Sequence, residues 1–172
     1  MKAVERIRGK VWKFGDHVDT DAIIPVRYCN TYLREELGPY AMSGIDPTFA
    51  EKVAAGDILV AGANFGCGSS RENAPLALLG AGVGAVIAAS FGRIFFRNAI
   101  NVGLPFFESP EASAACAQGD VLVIRPLEGG IENESTGRSY AFLPYPEKIA
   151  EIIAAGGLVA YVRARLLEKE GR

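Results

Sequence analysis

The sequence predicts a mixed α/β domain in which helices flank a sheet, and three observations carry that expectation. Short apolar runs of strand length alternate with helix-like segments through the middle of the chain. Further strand-like runs cluster toward its ends. Size is the third: 172 residues suffice for one sizeable core and are short for two, so 1–172 is read as one domain.

Each element has its own signal. Residues 7–14, IRGKVWKF, nearly alternate apolar and basic and read as a first strand. GDHVDTDAIIP follows as a turn with an apolar exit. The aromatic, irregular stretch from Arg27 to Tyr40, bounded by Pro25 and Pro39, reads as a long loop with at most a short helix, and Tyr32 and Leu33 are its expected packing anchors. In DPTFAEKVAAG (46–56), Asp46 has N-cap chemistry, Pro47 suits the first helical position and Gly56 closes the helix. DILVAG and GAVIAAS are buried strands, each followed by a helix: APLALLGAG, and FGRIFFRNAINVG with an apolar face from Phe91, Ile94, Phe95 and Ile100. LPFFE is a short strand. DVLVIRP and RSYAFLP are read as paired strands around a polar turn at GGIENESTG. PEKIAEIIAAGG begins with proline and ends with glycine, as a helix should, and LVAYVRARLLEKE is a last amphipathic helix. Its Arg163, Arg165 and Lys169 are accompanied by glutamates and read as a solvated face.

Composition narrows the function. A formal net charge of −2 gives no long-range attraction for nucleic acid or an anionic membrane. No apolar stretch approaches the ~20 residues of a membrane span, and the charged N-terminal MKAVERIRGKVWKFGD lacks a signal-peptide core. A cytoplasmic location is expected. Cys29, Cys67 and Cys116 are far apart and odd in number, which supports neither a disulfide framework nor a metal site within the chain. His17 is the sole histidine.

One stretch asks for an explanation: Gly62 to Pro75, GANFGCGSSRENAP. Strand, glycine turn, helix is how α/β proteins aim N–H groups and a helix dipole at an anion. Three standard versions are excluded. After Gly66 and Gly68 the dinucleotide fingerprint needs glycine where Arg71 stands, the GK[ST] ending of a P-loop is absent, and Glu72 replaces the last glycine of a nucleophile elbow. What singles this turn out is Ser69-Ser70-Arg71 at its exit, two hydroxyls and a planar guanidinium fork that fits a carboxylate. Asn73 reads as an N-cap with Pro75 in the first turn, Cys67 as a small turn residue, and Glu72 as an ion-pair partner or a solvent-facing charge.

GANFGCGSSRENAP, followed by ASFGRIFFRNAINVGLP, resembles the swivel domains of the aconitase superfamily, in particular the family of 3-isopropylmalate dehydratase small subunits. DTDAIIP near the start and EIIAAGGLV near the end extend the likeness over essentially the whole chain. The resemblance implies a swivelling β/β/α fold and a hydro-lyase that moves a hydroxyl between adjacent carbons in leucine biosynthesis. It also implies that no cofactor sits in this chain and that a [4Fe–4S] cluster is held by a separate large subunit. Ser69 would then be the base that removes and returns the carbon-bound proton, while Ser70 and Arg71 bind a carboxylate of a small dicarboxylate substrate or steady the serine oxyanion. Such a base needs amides and Arg71 around it in a dry site. Asp21 of DTDAIIP matches an acidic site position and would orient a substrate-binding arginine or a residue of the partner; a turn-forming aspartate that bonds its own backbone is the alternative. The family often has His where Asn73 stands.

The resemblance also makes the loop after IIP a specificity segment. Aligned without gaps, its positions are Tyr28, Cys29, Asn30 and Thr31, and Asn30 supplies no charge for an extra carboxylate, which favours a branched alkyl substituent. A slipped register would instead bring Arg34 of Tyr32-Leu33-Arg34 to the site and favour homoaconitate. A related alkylmalate, and a non-catalytic module that only holds a carboxylate or phosphate, are the other readings.

Overall fold

The computed structural model describes residues 6–170. Strand β1, Ile7–Lys13, is the hinge of the architecture. Its first half, Ile7 to Lys10, runs antiparallel to β5, Val121–Arg125, and its second half, Val11 to Lys13, runs parallel to β2, Ile58–Ala61. From β2 the sheet continues in parallel through β3, Ala85–Ala88, to the edge strand β4, Phe106–Glu108. On the other side β5 pairs with β6, Gly130–Asn133, and β6 with β7, Arg138–Ala141, in an antiparallel meander. The order is β4-β3-β2-β1-β5-β6-β7.

Two apolar clusters explain why β2 and β3 are continuous apolar runs rather than alternating ones. Leu59, Ala61, Val86 and Ala88 pack among helix and loop residues such as Phe49, Leu78 and Phe95. Ile58, Val60, Ala85 and Ile87 pack on the opposite face with Leu122, Ile124 and Ile131 of the meander. Both faces are therefore buried, as a parallel sheet requires. The layers are meander, parallel sheet, helices: the β/β/α arrangement expected.

The helices are α1, Thr20–Ile23; α2, Arg34–Leu37; α3, Phe49–Lys52; α4, Asn73–Gly80; α5, Arg93–Val102; α6, Pro110–Ala115; α7, Glu147–Ala154; and α8, Leu158–Glu170. Several expectations need correction. The helix expected over 46–56 is a single turn. Asp46 binds the Thr48 N–H and hydroxyl, and the buried Asp57 carboxylate takes the Ala54 N–H at 2.9 Å together with the Trp12 indole and the Lys10 amide, which diverts the chain into β2. The polar turn expected at 129–137 contains a strand, β6, so β5 and β7 do not pair with each other. Helix α6 was not anticipated, although Ser109 as N-cap and Pro110 at the first position spell it out.

Side-chain placement also differs. Within α5 the inward residues are Phe95 and Ala99, and Ile94 lies outward. Tyr32 and Leu33 are exposed and anchor nothing; Tyr28, stacked on Tyr40 at 3.9 Å, and the buried Leu37 do that work. The apolar Leu158, Val159, Val162, Leu166 and Leu167 of α8 all face solvent beside its basic residues.

Candidate active site

The site begins where β1 and β2 end. Beyond both strands the two chains stay zipped: Phe14 donates to Val60, Gly62 to Gly15, His17 to Ala63, Gly66 to Val18 and Thr20 to Cys67, at 2.7–3.0 Å. The glycine-rich turn is thus carried outward on a ladder. Its glycines are there for geometry. Gly66 has φ +74 and a Cβ there would run into the Phe95 ring; Gly68 has φ +93. Cys67 is half-buried, as its cramped turn position suggests.

Three supports had not been singled out from the sequence. The Asp16 carboxylate accepts the Ala63 N–H at 2.7 Å and fills the space a Gly62 side chain would need. Ser90 Oγ accepts the Asn64 N–H at 2.9 Å. Asn64 and His17, both left-handed at φ 59 and 54, face each other with Nδ2 and Nδ1 3.3 Å apart. The signal was the AlaAsnPheGly sequence, since asparagine tolerates the left-handed region.

At the turn's exit Ser69 and Ser70 are exposed. Among the described residues no hydrogen bond ties either hydroxyl, and no acceptor claims the N–H groups from Gly68 to Asn73. These free amides stand at the N-terminus of the eight-residue α4, the positive end of its dipole. Arg71 lies beside them, its side chain 16% exposed, with Nη1 2.5 Å from the Asp21 carboxylate and 3.4 Å from the Ile24 carbonyl. The hydrogen bond from Arg71 holds the Asp21 carboxyl below its usual range and pushes the guanidinium further up. Asp21 pairs with Arg71 and also takes a hydrogen bond from the Val26 backbone; the N-cap of α1 is Asp19, which accepts from Ala22 at 2.7 Å.

Asn73 does not cap α4. The cap position is Glu72, exposed and without an ion pair among the described residues, and the Asn73 amide turns inward to donate to the Thr31 carbonyl at 2.7 Å. That bond brings the 28–31 segment to the turn. Cys29 is half-buried there; burial raises its thiol pKa, while nearby Arg71 lowers it and Asp21 raises it. Asn30 is exposed at a bend, and the Thr31 hydroxyl is used locally by the Leu33 N–H. Tyr28 stacks on Tyr40, and the Arg27 guanidinium lies over the Tyr28 ring at 4.7 Å to the centroid. Arg34 is brought elsewhere. Its side chain pairs with Glu35 at 3.0 Å, and its carbonyl abuts Gly80 at the far end of α4, about 10 Å along the axis from Asn73.

Among the described residues no group of three His, Cys, Asp or Glu side chains comes together to hold a metal ion, and no helix is long and apolar enough to cross a membrane. A cleft of about 460 Å³ walled by Ile7, Phe107, Leu127 and Ile153 lies near the start of β1, remote from the turn at its other end.

Residues 30–110, which carry the parallel strands β2 to β4, the glycine turn, the two free hydroxyls and the buttressed arginine, match the aconitase C-terminal domain family. The whole chain narrows this further. It is 55% identical over 160 residues to the 3-isopropylmalate dehydratase small subunit of Heliobacterium modesticaldum, covering 93% of this chain and 96% of that protein. It is 51% identical to the isopropylmalate/citramalate isomerase small subunit of Methanocaldococcus jannaschii, covering 95% and 98%. The crystal structure of a 3-isopropylmalate dehydratase from M. jannaschii superposes with a TM-score of 0.91 at 44% identity over 96% of this chain and 98% of that one. The chain belongs to the family of 3-isopropylmalate dehydratase small subunits.

Proposed function

We propose that this chain is the proton-handling half of a cytoplasmic hydro-lyase that interconverts 2- and 3-isopropylmalate in leucine biosynthesis, working with a large subunit. The observation that carries the reading is the Ser69–Arg71 corner: a free hydroxyl beside unclaimed amides and a guanidinium already oriented by Asp21. Ser69 takes the proton from the substrate carbon as the hydroxyl departs and returns it to the neighbouring carbon. To accept that proton Ser69 Oγ enters the step as an alkoxide, whose negative charge is met by the amides of the turn and by Arg71 and is neutralised as the proton arrives. Arg71 keeps donors beyond the one given to Asp21, and with Ser70 they bind a substrate carboxylate in a planar, directional way. Asn30 and Thr31 border the space for the variable substituent, and an uncharged amide there suits an alkyl group. Arg34, paired to Glu35 and with its carbonyl against Gly80 at the other end of α4, is not placed to offer that space a cation for an extra carboxylate.

The donor set of this chain does not fit an iron–sulfur cluster, since Cys29, Cys67 and Cys116 stand apart and Cys116 is buried beside Asn133. The [4Fe–4S] cluster belongs to the proposed large subunit.

Ser69→Ala tests the reading in the reconstituted pair. Turnover of isopropylmalate falls about 10²–10⁴-fold, the range for loss of a positioned acid–base group, while KM stays nearly unchanged. A raised KM with unchanged kcat makes Ser69 a binding residue and puts the base elsewhere.

A further inference from the structure

The segment from Asp21 to Thr31 is held at two points by side chains two residues apart in sequence. Arg71 takes its beginning, through Asp21 at 2.5 Å and the Ile24 carbonyl at 3.4 Å. Asn73 takes its end, through the Thr31 carbonyl at 2.7 Å. Between these points the chain is a stiff arch: Pro25 begins it, the Cys29 thiol donates back to the Pro25 carbonyl at 3.7 Å, and Tyr28 is stacked on Tyr40. Asn30 stands exposed next to the second tether. Asn73 itself cannot swing away. It is 5% exposed, and Ala74 and Pro75 behind it are buried.

From this geometry we infer that Asn73 is a positioning residue for substrate choice: its amide fixes the arch relative to the Ser69–Arg71 turn and so sets the room left for the substrate's variable substituent. The inference rests on the functional reading above and deepens it. Because Asn73 is two residues from Arg71 on the same rigid turn-to-helix junction, any lengthening of its bond to Thr31 moves Asn30 relative to Ser69. A packing role alone would be filled by any side chain of the same shape. The tether needs a donor aimed at a carbonyl.

Asn73→Asp separates the two. Aspartate has the same shape and suits the first turn of a helix, where the dipole favours an anion, so the fold survives. Ionised, it offers only acceptors to the Thr31 carbonyl oxygen. In the chain reconstituted with its large subunit, the ratio of kcat/KM for isopropylmalate to that for citramalate shifts by about tenfold or more, as the loss of one hydrogen bond of ordinary strength allows. Asn73→His, which keeps a donor, restores the ratio to within about threefold, well inside the effect of a lost bond. An equal fall on both substrates with an unchanged ratio overturns the inference. Hydrogen exchange on the full chain alone reads the tether without turnover: amides of 26–33 exchange faster in Asn73→Asp while those of 93–102 do not change, and unchanged exchange throughout again overturns it. A wild-type pair that turns over neither substrate sinks the functional reading and the claim on substrate choice with it, whereas the exchange result still decides whether Asn73 holds the arch.

Discussion

Asp21 hangs from α1 with 60% of its side chain in solvent, yet Arg71 reaches it from a position that is 16% exposed. The asymmetry assigns the roles. An exposed carboxylate gains little stability from an ion pair, so on the proposed reading the pair matters as aim, orienting the guanidinium for a substrate carboxylate. Hydrogen bonding from Arg71 lowers the Asp21 pKa from its ordinary 3.8, and the sign follows. The favourable contribution is full above 3.8 and is lost as pH falls through the lower folded value. A carboxyl NMR titration of the chain alone therefore shows the Asp21 midpoint below 3.8, and Arg71→Ala moves it upward. A midpoint that ignores Arg71→Ala removes the pair from the working site. The sequence showed the groups of this corner, a serine pair and an arginine after a glycine turn, while their roles were implied only by the family resemblance. The inward turn of Asn73 was not legible there. Its position matches an N-cap equally well, and only the tertiary approach of Thr31 decides where the amide points.

At the level of elements, pattern and outcome agree where burial is simple and part where polar groups are borrowed from afar. The runs of β2 and β3 and the helix after each were readable because both sheet faces are covered. Strand β6 was hidden because it ends in Asn133, whose buried amide serves Asp120 while its oxygen takes the Ser135 and Thr136 amides; side-chain chemistry that usually marks a turn here closes a strand. The edge strand β4 uses another borrowed group. Val86 bonds to Pro105 and Ser109 bonds to Ala88, which leaves the Phe106 N–H and C=O facing away from the sheet. The Tyr145 phenol meets both, accepting from the N–H at 2.7 Å and donating to the carbonyl. It satisfies the edge as a further strand would, and so protects it from pairing with another chain. Tyr145→Phe keeps the ring against Phe106 and Phe107 but orphans both groups, so it costs about 1–3 kcal/mol in denaturant unfolding. A cost near zero shows that water replaces the phenol.

On the proposed reading, the molecule as a whole holds a contradiction that a second polypeptide would resolve. A serine hydroxyl is a very weak acid, and its alkoxide exists only where fixed dipoles and a positive charge replace water. This fold supplies the dipoles and the charge, on a turn braced by the β1–β2 ladder and by Asp16 and Ser90. Water exclusion it does not supply, because Ser69 and Ser70 both face solvent. The chemistry therefore has to switch on with coverage, and the small-subunit family to which the chain belongs points to the large subunit as the cover. Exchange of the substrate's carbon-bound hydrogen with deuterated solvent, followed by NMR, isolates the step proposed for this chain. The chain alone incorporates no deuterium into isopropylmalate. Mixed with the large subunit it does, and Ser69→Ala in the same mixture slows incorporation by about 10²–10⁴-fold. Exchange by the isolated chain at the rate of the pair would mean that the open turn already generates its base, and the need for a covering subunit in proton transfer would be gone.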